Sequence, residues 1–406
     1  MADIVNHSDC EEDIDFISKL FHSKYDCVRS FIPKVILKVI KSNESQLIFL
    51  TKLSLDRSFE VRYETAQLLK KLDDSVSEKL SLLLIDDANP RIRCLIPSLC
   101  SSKSYYYRTL INRLYSDFDW SIRAALSSEL IHTLDHDKAI EYALVLICDP
   151  CWQVKLQSLR SLRILFQRIS PTVRIDYPKL FTNLIEICRY PQLTLKIASS
   201  DIIFQIAQHV DISKFDSYFQ LFVKDIITRQ TSELKLYFIT TVINQKSQYF
   251  IHIMEPKLIE LINELSHDTA WRVREGIVKL FSSITEMVND IELIQSLEKV
   301  CESLIDDEAE HVRKVAVEQL TLFAVKKMDD EEMKMPLFYQ KMACSNTFRE
   351  RQAAIVVIET MLDENGSNKE KKEALMAELE RFEDDKCPNV MELAKFVKEK
   401  YSNKNE

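Results

Sequence analysis

Glycine is almost missing from this sequence: Gly276 and Gly366 are the only two in 406 residues. A Gly-rich phosphate cradle needs several adjacent glycines so that backbone amides can close on an anion, and none can be built here. Nucleotide-dependent catalysis of the usual kinds is therefore not expected. Long apolar runs are absent too, with nothing approaching the roughly 20 residues needed to cross a bilayer. The opening MADIVNHSDCEEDIDF is acidic and lacks both a basic start and a long apolar core, so no secretory signal is expected. No Lys/Arg block interrupts a net charge of −9, which argues against nucleic acid as a partner. Strand-like alternation bounded by Gly turns is also lacking. The expectation is an intracellular protein whose ten cysteines stay reduced and whose partners are proteins, with no membrane contact.

What remains is a helical composition rich in Leu, Ile, Lys and Glu. Its length allows either a few compact domains or one elongated array, and internal repetition decides between them. DRSFEVR from Asp56, DANPRIR from Asp87, DFDWSIR from Asp117, DPCWQVK from Asp149, DTAWRVR from Asp268 and DEAEHVR from Asp307 share one pattern. Each is Asp, four variable residues, an aliphatic, then Arg or Lys. Weaker copies keep the register: SKYDCVR from Ser23, YPQLTLK from Tyr190, RQTSELK from Arg229, SNTFRER from Ser345 and DKCPNVM from Asp385. Spacing is 30 to 33 residues early and 38 to 41 later, room for two helices and two short connections.

The flanks have helical periodicity. Leu258, Leu261, Ile262 and Leu265 precede the Asp268 unit at i, i+3, i+4, i+7, and Val273, Ile277, Leu280, Phe281 and Ile284 continue the stripe. The Asp can accept backbone N–H bonds at a helix start, and Pro90, Pro150, Pro191 and Pro388 suit the turn or the first helical residues. Helix pairs that cannot bury their apolar faces alone must stack. The expectation is an all-α superhelix, a solenoid of about eleven pairs over residues 12–402. The period changes near residue 170, which separates short-period repeats (12–170) from longer ones (171–402) in one continuous solenoid. The segment ENGSNKEKK from Glu364 is the most linker-like.

A unit of helix, Asp-x-x-x-x-Val-Arg turn and helix resembles the HEAT repeat. LSHDTAWRVREGIVKLFSSI at Leu265–Ile284 and LIDDEAEHVRKVAVEQL at Leu304–Leu320 resemble the scaffold (A) subunits of protein phosphatase 2A. SNTFRERQAAIVVIETML and PNVMELAKFVKEKY then follow in that family's order. The N-terminal half is similar only as generic HEAT, and the repeats are fewer than is typical of the family. The resemblance implies a scaffold without cofactor or catalytic residues, in the cytoplasm and also the nucleus. The turns carrying Trp271–Arg272, Glu310–His311 and Phe348–Arg349 would contact a phosphatase catalytic subunit. Those carrying Phe59, Pro90, Trp120 and Trp152 would face a variable regulatory (B-type) subunit.

Two positions of the unit call for separate readings. The final base (Arg62, Arg93, Arg123, Arg274, Arg313) can reach the Asp of an adjacent unit (Asp56, Asp87, Asp117, Asp268, Asp307), a ladder fixing repeat stacking. All three tryptophans occupy the fourth position, where they can form a protein-binding ridge or fold back to seal the core. Other adaptor cargoes, as in a nuclear transport receptor or a tubulin-binding array, would use the same turns. For tubulin's acidic surface an interleaved basic ridge is expected, and the bases here are scattered.

Enzyme readings find little support. His132, His136, Cys148 and Cys151 have metal-ligand spacings on paper. An intervening helix would hold His136 and Cys148 roughly 18 Å apart, and zinc ligands converge to about 2.0–2.3 Å from one ion. The Cys148/Cys151 dithiol lacks the preceding strand of a redox site, although Cys151 near a helix start could be mildly reactive. The paired His-Glu dipeptides of HEAT-type metal hydroxylases do not occur. Asp86-Asp87 and Asp306-Asp307 read as turn caps.

Overall fold

The computed structural model describes residues 11–40, 42–99, 107–132, 136–168, 175–288, 290–326, 335–365 and 368–402. Among them every regular element is helical, so the protein is all-α, as its composition and period imply. The chain divides into two compact units, Met1–Tyr218 and Phe219–Glu406. This division lies later in the chain than the change of repeat spacing near residue 170.

In the first unit the two-helix pattern recurs at each turn motif. Asn43–Ser54 pairs with Phe59–Leu68, and Asp74–Leu84 with Pro90–Arg93. Tyr107–Leu114 pairs with Trp120–Glu129, His136–Leu146 with Trp152–Phe166, and Tyr177–Ile187 with Leu193–His209. Ahead of them Glu11–Phe21 pairs with Asp26–Arg29 and Ile32–Val39. Pro90 is the first helical residue of its helix, where its missing N–H costs nothing. That helix stops at Arg93, because Pro97 cannot donate to the Arg93 carbonyl and the chain tightens into a 3-10 turn, Pro97–Leu99. Ile92, Ile122, Val154, Leu159 and Leu162 point inward and are fully buried.

The second unit continues the pattern. Ser232–Asn244 is followed by Gln248–Ser266 with Trp271–Val278, Ile291–Leu304 with Glu310–Lys326, Leu337–Ala343 with Phe348–Asn365, and Lys369–Glu380 with Pro388–Ser402. Leu258, Leu261, Ile262 and Leu265 are buried, as are Val273, Ile277, Phe281 and Ile284. The stripe after Asp268 is not one helix, however. It breaks at Lys279–Leu280 into Trp271–Val278 and Phe281–Met287, and Leu280 is only partly buried. A Cβ at Gly276 would lie 2.6 Å from Leu236 Cδ2 on the preceding repeat's second helix, so the Leu236 side chain would have to shift to admit one. Aromatic edges fill the start of this unit, with Phe219 against Phe250 at 5.7 Å and Phe222 against Phe238 at 5.6 Å between ring centroids. Of ENGSNKEKK, Gly366 and Ser367 lie outside the described residues; the flanking residues belong to helices Phe348–Asn365 and Lys369–Glu380 and the N-cap Asn368.

Candidate protein-binding turns

The turn motif works through both ends of its Asp. The Asp56 carboxylate accepts the Ser58 N–H at 2.8 Å, and Ser58 is the N-cap of the helix that follows. Asp87, Asp117, Asp149, Asp268, Asp307 and Asp385 accept the N–H two residues on in the same way. The motif Asp thus orders the turn from two residues before the cap, not as the cap itself. Its carbonyl accepts from the Arg of its own unit, as in Arg62 Nη1 to Asp56 O at 2.8 Å and Arg274 Nη1 to Asp268 O at 2.7 Å.

The other side of each guanidinium reaches the next unit. Nε and Nη2 of Arg29 grip Asp56, those of Arg62 grip Asp87, those of Arg93 grip Asp117, and those of Arg123 grip Asp149, with Nε distances of 2.7, 2.6, 2.8 and 2.6 Å. In the second unit Arg274 grips Asp307 at 2.8 Å and Arg351 grips Asp385 at 2.7 Å. These planar two-point bonds tie each turn to the next in one fixed geometry. The Arg351 bond, the Cys387 N–H and the Arg351 charge hold the Asp385 carboxyl below its ordinary range despite some burial. Burial alone would raise the Asp307 carboxyl, but Arg274 and the Ala309 N–H outweigh it and lower it.

The ladder has gaps where the sequence departs from the motif. Lys155 donates to the Ile147 carbonyl and sits 5.5 Å from the centre of the Tyr190 ring, Tyr190 standing where the next Asp would be. Lys235 pairs with Glu264, not with Asp268. Arg313 holds its own turn through Asp307 O and Glu308 O at 2.8 and 3.0 Å. The following unit begins with Ser345 in place of Asp. Among the described residues the Nε and Nη2 of Arg313 have no partner.

The six residues read as contacts for a catalytic subunit lie at the starts of consecutive second helices of the second unit. Trp271 and Arg272 open Trp271–Val278, Glu310 and His311 open Glu310–Lys326, and Phe348 and Arg349 open Phe348–Asn365. Trp271 is half-buried, its ring stacked on His311 of the next repeat at 5.4 Å and 20°. The Arg272 guanidinium lies 4.8 Å from the Trp271 ring centre. Glu310, Phe348 and Arg349 line a groove of about 620 Å³ together with Arg313 and Phe396. Phe396, 61% exposed, was not singled out from the sequence; it lies mid-helix, outside the turn motif, so no repeat signal marks it.

The first-unit residues are arranged differently. Phe59 packs on Tyr63 of its own helix at 5.4 Å, and Pro90 lines a shallow groove with Tyr63, Arg91, Cys94 and Ser121. Trp120 is 45% exposed, while Trp152 is half-buried in a neighbouring groove with Ser121 and Arg160. The structure does not bring these four into one cluster. Cys148 lies in the turn after His136–Leu146 and Cys151 caps Trp152–Phe166, so the Cys-x-x-Cys straddles an element boundary. Asn183 donates to the Cys148 sulfur, and the Cys151 thiol donates to Gln153. Among the described residues no group of three or more His, Cys, Asp and Glu could hold a metal ion, and no helix is long and apolar enough to cross a membrane.

No family model matches the chain, and no curated protein does. Solved structures do. The chain is similar to the karyopherin Kap121p bound to the extreme C-terminus of the protein phosphatase Cdc14p, with 12% identity and a TM-score of 0.57, over 99% of this chain and 48% of that one. Kap121p bound to Nup53p gives 13% identity and 0.56 over 97% and 48%, and Kap121p bound to Pho4p gives 13% and 0.55 over 95% and 48%. The chain thus spans about half the length of these karyopherins. At such identities the likeness is one of fold, that of an all-α helical-repeat protein.

Proposed function

We propose that this protein is a non-catalytic scaffold for a protein phosphatase 2A-type serine/threonine phosphatase. The turns of the second unit hold the catalytic subunit, and Phe59, Pro90, Trp120 and Trp152 of the first unit face a regulatory B-type subunit. The observation that carries the reading is the Arg272–Trp271–His311 stack, an aromatic-cationic surface that joins the LSHDTAWRVREG stretch resembling the phosphatase scaffolds to the next repeat. Trp and Arg are among the residue types that dominate protein interfaces. Holding two subunits on one chain raises their local concentration without any cofactor, in the cytoplasm and the nucleus.

The rival is an adaptor for another protein cargo. Likeness to Kap121p with its bound partners favours a transport-receptor form of it, and nothing comparable favours tubulin. Pull-down with the wild type and with Trp271→Ala/Arg272→Glu, followed by identification of the recovered proteins, separates the readings. A phosphatase catalytic subunit recovered by wild type and lost with the variant is expected. Recovery of other proteins with no phosphatase subunit would end the phosphatase reading.

A further inference from the structure

Arg313, the arginine whose rung in the ladder is unfilled, lines the groove of the second unit. Ser345 is built like the motif Asp: its side chain accepts the Thr347 N–H at 3.0 Å and its carbonyl accepts from Arg351 at 3.0 Å. Only the carboxylate is missing. Arg313 is fixed by Nη1 to its own turn, and its Nε/Nη2 edge meets no acid among the described residues. Beside it stand exposed Arg349, with no partner among the described residues, and Lys314, shared at 3.8 and 3.7 Å with Glu318 and Glu359. Phe348 and Phe396 line the same space, 42% and 61% exposed.

We propose that this groove binds an extended segment of a partner protein in which a carboxylate side chain neighbours an apolar one. The carboxylate takes, on Arg313, the place that Asp takes on the other forked arginines, and the apolar side chain covers Phe348 and Phe396. Two observations select this occupant. Each filled arginine fork of the ladder among the described residues holds a carboxylate. Glu310 and Glu392 also line the groove and disfavour the greater charge of a phosphate. The inference shares with the proposed function only the placing of protein contacts in this unit.

The test uses the whole purified chain and an end-capped, fluorescein-labelled peptide with one glutamate between two leucines, flanked by serines. Fluorescence anisotropy should detect binding to wild type and roughly tenfold weaker binding when Gln replaces the peptide's Glu. Arg313→Gln should weaken binding of the Glu peptide to the same degree. Ser345→Asp should supply the missing acid from within, raise the melting temperature and weaken the peptide by a similar factor. This variant keeps the test open if Arg313→Gln folds poorly. Equal affinity for the Glu and Gln peptides, no binding by wild type, or a phosphoserine peptide binding more tightly than the Glu peptide would each overturn the proposal. Phosphatase recovery in the pull-down with peptide binding absent would remove this inference and leave the proposed function standing.

Discussion

At the residue scale, Asp56, Asp87, Asp117 and Asp307 each do three things at once: they order their own turn, accept from their own unit's Arg, and receive the Arg of the preceding unit. Asp385 shows all but the second, since Met391 stands where its own Arg would be. Asp385→Asn keeps an acceptor for the Cys387 N–H but loses the anion that Arg351 grips. Loss of a charge-assisted, largely buried hydrogen bond should cost about 1.5–3 kcal/mol at neutral pH, measured by chemical denaturation. The sign of the pH dependence follows from the depressed carboxyl. Its stabilisation is present above the unfolded-state pKa, near 4, and is lost as pH falls through the lower folded value. Wild type and Asp385→Asn should therefore differ at pH 7 and converge in acid, and a constant difference down to pH 2 would refute this role.

At the element scale, neighbouring second helices approach closely because small residues face each other between them. In the first unit Ser127 donates to Ser158 at 2.9 Å, and Ser161 donates to the Ser127 carbonyl at 2.7 Å, all three essentially inaccessible. Serine mid-helix usually signals a solvated face, so these contacts were hidden by residue type. Ser158→Leu adds volume where none is free and should destabilise the first unit by about 1–3 kcal/mol in urea titration. A neutral result would mean that the helices can separate without penalty. Two of the short second helices end for visible reasons: Pro97 ends Pro90–Arg93 early, and the stripe after Asp268 stays apolar across the break at Lys279–Leu280.

For the whole molecule, each compact unit has its own aliphatic and aromatic interior, and repeat stability is a sum of local and nearest-neighbour contributions. The tryptophans report the units separately, Trp120 and Trp152 in the first and Trp271 in the second. Phe250→Ala removes a fully buried ring from the Phe219/Phe238 cluster and should cost about 3–5 kcal/mol. In single-tryptophan variants the Trp271 transition should move to lower denaturant while the Trp152 transition stays in place. Equal shifts of both would mean that the chain unfolds as one cooperative body.

The sequence by itself determined the helix pairs, their turns and the inward faces, because these depend on local period and on residues six apart in one motif. Asp56, Asp87, Asp117 and Asp307 could be named as rungs from spacing alone. Arg29, Asp149, Arg351 and Asp385 lay in the same register and were readable by the same signal. Only the tertiary structure decided what depends on the rotation between successive repeats. It set which base finds an acid, so that Lys235 takes Glu264 and Arg313 takes none among the described residues, and it stacked Trp271 on His311 from the next turn. Phe396 came into the same groove as Phe348 for the same reason. A repeat motif records what each unit carries, but the angle at which units meet comes from summed side-chain packing along the whole interface, which no single motif encodes.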